Sequence, residues 1–577
     1  MCGIYGYILN ESKSLSWCLT RLEMLEYRGY DSSGICALKQ DNFNIYKSTG
    51  YIKNLYKEVK GKTGKNVICH TRWATHGKIN KENSHPHITD DVCIVHNGII
   101  DNYTKLKCEY DLHKILKSNC DSEIISALIN RQIKKYGKNI NSIIDTLCML
   151  SGSYAILIQI KGLENVIFGA KNKSPLYIGK TENGYIFSSD LIAFQGIVNE
   201  YYELDDGEIF EASCDNIIFY NNYKLKIEKR TLPYENINFS SSLGKYNSFL
   251  EKEIHDIPKA LCNTLFNYKN DSYNIPNIAN YECLHLIACG TAYHSALMGK
   301  YIIEKNTKIP CYCHIASEFL YEECLEKRKS LFIFISQSGE TYDTLQCVKK
   351  AKSLKFSTLA ITNTQHSQII KLCDFYLPIY AGKEVSVAST KVYNCTILAF
   401  LYLCKIKKIE INAKLLTNLI KRNDEKHLAK CMCHANNVLF IGKSEDYVTS
   451  LEASLKFREL TYKNCASFPC GELKHGTLSV VDEATIVIAT LTDIKYLPAI
   501  NTALQEVKTR GGKTALITSV ETNLECADIV LNVEHDKNLP IELYSIIPMQ
   551  KLALFSCNYL KLNPDKPRNL AKSVTVQ

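Results

Sequence analysis

The chain is 577 residues long, 46% hydrophobic and 22% charged, with a net charge of +9. That length exceeds one ordinary domain and implies about three or four, and the composition is ordinary for a globular protein in water. Lys and Arg are dispersed rather than interleaved with aromatics, which argues against a nucleic-acid-binding face. The longest apolar run, 396–404, is stopped by Lys405, too short to span a bilayer and expected to be a buried helix. No basic segment leading into an apolar core opens the chain, so no secretory signal is expected. The 25 cysteines include no C-x-x-C pair, and the C-x-C pairs Cys311/Cys313 and Cys431/Cys433 lack a second half at metal-site spacing. Reduced thiols acting as small buried hydrophobes in the cytoplasm are expected.

In chain order, residues 2–235 read as one unit rich in short strands, among them 67–70, 92–96, 154–160 and 166–170, with a helix over 121–132. The polar stretch 236–280 reads as a linker. Beyond it the chain repeats itself. An apolar run at 284–288 leads through Gly290 into a helical pattern, and a run at 438–441 leads through Gly442 into another. A second strand, 331–335 in one copy and 485–489 in the other, ends in small hydroxyl residues, and a third follows a helix at 359–362 and 515–518. Strand–turn–helix twice over, in one order, predicts two doubly wound α/β domains with parallel sheets, over 281–410 and 430–567, before a tail at 568–577. Ligands of such sheets bind at the C-terminal strand ends, where these Gly, Ser and Thr residues fall.

The chain begins Met1-Cys2-Gly3. Removal of Met1, favoured by a small second residue, leaves a terminal cysteine whose own α-amine, with a pKa near neutrality, can take the thiol proton. Downstream lie EYRGYDSSG at 26–34, HTRWATHG at 70–77, NSHPH at 83–87, HNGII at 96–100 and Asp121-Ser122-Glu123. This set closely resembles the glutaminase domain of the N-terminal-nucleophile (class II) amidotransferases, over essentially all of 2–235, and implies an αββα fold. By that resemblance Cys2 is the nucleophile, and Asn97 with the Gly98 N–H forms the oxyanion hole. Arg72 takes the glutamine α-carboxylate with its planar fork and Asp121 takes the α-ammonium. Trp73, Thr75 and His76 wall the pocket.

The two repeats resemble sugar isomerase (SIS) domains. SQSGETYDTL at 336–345 brings backbone N–H groups to a helix N-terminus after a buried strand, a phosphate cradle without a P-loop lysine. By resemblance Ser336, Gln337, Ser338 and Thr341 hold the sugar phosphate. ACGTAYHS at 288–295, with Thr291, and VASTK at 387–391, with Val387 and Ser389, supply further contacts. Ala292 stands where this family usually has serine. In LEASLKFRELTY at 451–462, Glu452, Lys456 and Glu459 share one helix face. With CGELKHGTLSVVD at 470–482 and PRNLAKSVTVQ at 567–577, the whole chain resembles the glucosamine-6-phosphate synthase family.

That resemblance implies transfer of the glutamine amide nitrogen to fructose 6-phosphate. His475 opens the sugar ring, Lys572 forms a Schiff base at C2, Glu459 moves a proton between C1 and C2, and Lys456 steadies the negative charge. Ammonia travels a water-poor channel gated by Trp73. No metal or organic cofactor is required. The small-molecule partners are glutamine and fructose 6-phosphate, and a homodimer or higher oligomer is implied, with His475 contributed across subunits. The amidotransferases that share the first half for other acceptors need an SGGxDS-type ATP loop, an acidic pyrophosphate–ribose loop or an iron–sulfur cysteine cluster, none of which the chain carries.

Overall fold

A computed structural model describes residues 2–234, 242–271, 273–365, 367–406, 409–522, 524–537 and 539–574. The chain divides into two compact units, Met1–Phe239 with Ser573–Gln577, and Ser240–Lys572. Residues 235–241, across the expected start of the linker, and the last three residues of the expected tail lie outside the described residues.

The first unit is built on two antiparallel sheets. One has eight strands in the order Leu232–Pro233, Glu200–Glu203, Tyr177–Thr181, Gly184–Ser188, Gly3–Ser14, Thr63–Arg72, Ser32–Lys39, Asn42–Thr49. The other has seven, in the order Lys226–Ile227, Ile217–Tyr220, Glu208–Ala212, Ile167–Asn172, Gly152–Ile160, Val92–Ile100, His87–Thr89. Their central strands are nearly continuous apolar runs because both faces are covered. Along the first strand Ile4 and Ile8 join the layer between the sheets, with Cys93, Val95 and Leu157 from the opposite sheet. Tyr5, Tyr7 and Leu9 point the other way, onto the helix Leu15–Glu23. In the second sheet Val92, Ile94, Ile156 and Ile158 face the helices Glu123–Tyr136 and Ile140–Leu147. The result is the expected αββα sandwich.

The helix expected over 121–132 begins two residues later, at Glu123. The Asp121 carboxylate is spent on the Ile100 N–H, 2.9 Å away, so it does not cap the helix. The Glu123 carboxylate instead gathers the Lys117 and Ser118 N–H groups of the preceding turn.

The second unit carries the repeat. Its first parallel sheet runs Cys311–Ile315, Cys283–Ala288, Ser330–Ser336, Ser357–Thr362, Phe375–Pro378. Its second runs Cys465–Pro469, Asn437–Gly442, Thr485–Leu491, Lys513–Thr518, Ile529–Asn532, the same spatial order. The apolar run at 396–404 lies in the helix Lys391–Leu403 up to its C-cap Cys404, and nearly every side chain of that helix is buried. The stretch 236–280 is more than a connector: it holds the helices Phe249–His255 and Ile257–Asn270. Leu250, Ile254, Ile257, Leu261 and Leu265 from these helices enter the core that also contains Leu284, Phe400, Phe457 and Leu552. That one core runs through both repeats, so the two α/β domains pack as one body. Among the described residues no helix is long and apolar enough to cross a membrane.

Candidate active sites

In the first unit the residues singled out from sequence converge on Cys2, which is half-buried at the start of the strand Gly3–Ser14. Its Sγ receives the Trp73 N–H at 3.3 Å. Its carbonyl receives Asn97 Nδ2 at 3.0 Å and Arg28 Nε at 3.1 Å. Burial pushes the Cys2 thiol up, the Trp73 N–H and the Arg72 guanidinium oppose that rise, and the Asp121 carboxylate adds to it, so both charged groups are felt at the sulfur. Arg72 is buried at the end of the strand Thr63–Arg72. It donates to the carbonyls of His76 and Lys78 and holds the 73–78 loop in place. His76 Nδ1 lies 3.9 Å from Asp121 Oδ1 and 3.3 Å from Thr75 Oγ1. The Trp73 ring packs edge-on against Tyr30, which stacks on Tyr51. Gly98 has φ +139°, and a Cβ there would sit 1.9 Å from the Ser153 carbonyl oxygen, so only glycine fits.

Arg28 was not singled out. It is buried and pairs with Asp190 at 3.4 Å while holding the Cys2 carbonyl. Its signal was an arginine inside EYRGYDSSG, a segment already matched to the glutaminase pattern.

In the second unit the turn after the strand Ser330–Ser336 is closed by its own hydroxyls. Ser336 Oγ lies 3.0 Å from Thr341 Oγ1 and accepts the Gly339 N–H at 3.0 Å, and Ser338 Oγ accepts the Glu340 N–H at 3.2 Å. Gly339 has φ +66°, and a Cβ there would meet Ser367 Oγ at 2.1 Å. The Gln337 carbonyl is tied to Asn363 N at 3.2 Å.

The helix Glu445–Thr461 carries Glu452, Lys456 and Glu459, and Glu452 reaches the first repeat. Glu452 is fully buried and takes Thr291 Oγ1 at 3.0 Å, His294 Nδ1 at 2.7 Å and Lys456 Nζ at 3.5 Å. Lys456 also pairs with Glu459. Burial disfavours its ammonium, yet the two carboxylates outweigh that and hold the lysine above its ordinary range. It is a fixed cation.

Lys572 reaches back along the chain to Glu384, with Nζ 2.7 Å from Oε2. Ser389 Oγ donates to the same oxygen at 2.7 Å, and the Thr390 and Val392 N–H groups donate to Oε1. Burial opposes the Glu384 charge, but Lys572 and these donors prevail and bring its carboxyl down to about 2. Val387 is held by its N–H on the Asp565 carbonyl at 3.0 Å. Glu384 was missed from sequence, as was Glu253, whose carboxyl receives the Val385 and Ser386 N–H groups beside it. Burial and the Glu384 charge push Glu253 up to about 8.

His475 is not brought to this cluster. It is exposed beside a separate cleft of about 420 Å³ lined by Asn437, Phe468 and Ser479. Among the described residues no hydrogen bond or ion pair joins its ring to Lys456, Glu459 or Lys572.

Relatives of this chain align along its entire length. It is 36% identical over 606 aligned residues, covering 100% of both chains, to the glutamine–fructose-6-phosphate aminotransferase (isomerizing) of Listeria innocua, and 34% identical over 604 to that of Geobacillus kaustophilus, again covering both in full. The chain belongs to the glutamine–fructose-6-phosphate aminotransferase family. Its domain content agrees. A glutamine amidotransferase domain matches residues 70–196, and a SIS domain matches twice, at 278–405 and 432–534. Among solved structures, the C-terminal domain of the aminotransferase from Francisella tularensis covers 56% of this chain and 100% of its own, at 28% identity and a TM-score of 0.51. As the aminotransferase family name joins two substrates, so the chain joins a glutaminase fold to a sugar-phosphate fold.

Proposed function

We propose that the chain transfers the amide nitrogen of glutamine to fructose 6-phosphate with ketose-to-aldose isomerisation, giving glutamate and glucosamine 6-phosphate, the first step toward amino-sugar nucleotides. With Met1 removed, the α-amine of Cys2 takes the thiol proton, and the thiolate attacks the amide carbon. Asn97 and the Gly98 N–H receive the oxyanion while Arg72 and Asp121 grip the amino-acid end. Ammonia leaves, and water hydrolyses the thioester to glutamate. Ammonia then passes as neutral NH3, with Trp73 at the gate, because protonation would remove its lone pair.

At the sugar, Lys572 forms the C2 imine and NH3 displaces it. Glu459 takes the proton from C1 and returns it to C2, and the Lys456 cation steadies the intermediate. Thr291, Ser336, Gln337, Ser338, Thr341, Val387, Ser389 and Glu452 hold the open-chain sugar phosphate. Ring opening falls to His475 of a second copy in a cytoplasmic homodimer. The exposure of His475 away from its own chain's cluster supports that assignment.

The observation that carries the sugar half is the return of Lys572 to Glu384 at the mouth of the VASTK loop. A lysine so far along the chain gains nothing for the fold there that a closer cation could not supply. The test is an assay for glucosamine 6-phosphate from glutamine and fructose 6-phosphate, with ammonium as the control donor. Cys2→Ala is expected to abolish glutamine hydrolysis and leave sugar isomerisation. Full glutaminase activity in that variant overturns the first half, and failure of the wild type to form the amino sugar overturns the whole.

A further inference from the structure

The glutaminase unit contains a group of side chains that the chemistry above does not use. His85, His87 and Cys120 are all buried, and each offers one ligand atom within 4.8 Å of the other two. The ring of His85 lies 4.5 Å from that of His87 and 4.0 Å from that of His70, centre to centre. Gly34 lets this loop lie flat on the sheet, since a Cβ there would sit 2.1 Å from the His85 carbonyl oxygen.

Hydrogen bonding inside the protein does not satisfy this group. Among the described residues, His85 Nδ1 and His87 Nε2 are buried without a partner. Buried polar atoms are nearly always paired, and each orphan costs about 1–3 kcal/mol. Two such nitrogens side by side are not the mark of a merely structural histidine stack. His87 also forms part of the wall of a cleft of about 840 Å³ that borders Lys47, Thr89 and Glu123.

We propose that His85, His87 and Cys120 bind a soft divalent cation of the zinc class, and that its occupancy suppresses glutamine hydrolysis. Two imidazoles and a thiolate are a borderline-soft donor set, and water from the cleft completes a tetrahedron. Binding releases the thiol proton of Cys120 to bulk water and draws its sulfur toward the two rings. Asp121 is the next residue, and its Oδ1 lies 3.7 Å from that sulfur. The pull moves the carboxylate assigned to the glutamine α-ammonium. The regulatory half therefore rests on the proposed glutaminase reading, whereas the binding half does not.

The experiment uses the full chain stripped of metal and titrated with Co²⁺. One equivalent is expected to raise a thiolate-to-cobalt charge-transfer band, Zn²⁺ is expected to displace it, and Zn²⁺ is expected to remove most glutamine hydrolysis until a chelator restores it. C120S and, separately, H87N are expected to lose the band, and C120S to lose the zinc sensitivity. A second group of candidate ligands, Cys283, His285 and Glu326, lies in the other unit, so C283S must keep the band. Absence of a one-equivalent cobalt spectrum, or its survival in both C120S and H87N, overturns the site. A normal spectrum with hydrolysis unmoved by zinc overturns the regulation. A chain with the band but no glutaminase activity even without metal overturns the regulation as well, by removing the glutaminase reading on which it rests.

Discussion

Glu253→Gln isolates one buried ionisation. In the native chain burial and the neighbouring Glu384 charge raise the Glu253 carboxyl from 4.5 to about 8, so at neutral pH the folded state holds a proton that the unfolded chain releases. Stability falls with rising pH wherever the native state binds more protons. The penalty therefore opens above pH ~4.5, grows until about pH 8 and is constant beyond. At roughly 1.4 kcal/mol per pKa unit, it is under about 1 kcal/mol at pH 5, about 3 kcal/mol at pH 7 and roughly 4–5 kcal/mol at pH 8. Glutamine copies the protonated carboxyl in shape, keeps the oxygen that accepts the Val385 and Ser386 N–H groups, and does not titrate. Melting temperatures of wild type and variant should nearly coincide at pH 5, and the variant should melt progressively higher toward pH 8. A gap independent of pH, or a variant less stable than wild type at pH 8, would refute the reasoning.

Glu384→Gln removes the partner of Lys572 and leaves its ammonium facing a neutral amide. Fructose 6-phosphate isomerisation should fall by at least about tenfold, equivalent to about 1.4 kcal/mol of misplacement, in kcat more than in KM. Borohydride with fructose 6-phosphate should label Lys572 in wild type and label it poorly in that variant; no adduct in wild type counts against the imine. Gly98→Ala should lose glutamine hydrolysis while ammonium still supports amino-sugar formation. Its backbone strain alone is worth about 1–3 kcal/mol, read as a lower melting temperature.

What could be read from the sequence was what the chain writes locally. The central strands of both sheets of the glutaminase unit show as apolar runs because they are covered on two faces, and the repeated sheets of the second unit show as paired strand–turn–helix patterns. The Ser336–Thr341 turn is equally local, since its hydroxyls close on one another within six residues. The helices over 249–270 were missed, since the polar residues between Leu250, Ile254, Ile257, Leu261 and Leu265 face outward and dominate the composition, although those five recur at helical spacing.

Glu253 and Glu384 were not readable for a different reason. A carboxylate acquires its role from the charge that reaches it, and the Lys572 that reaches Glu384 comes from 188 positions away. Nothing in the surrounding sequence distinguishes Glu384 from a solvated glutamate. The same holds for Cys120, 33 positions beyond His87 and separated from it by a strand and two short helices. Sequence motifs disclose sites whose geometry a single turn enforces. Sites assembled from opposite ends of a unit disclose themselves only through burial and unpaired atoms, so the orphaned nitrogens of His85 and His87 carry more functional information than the H-x-H spacing that contains them.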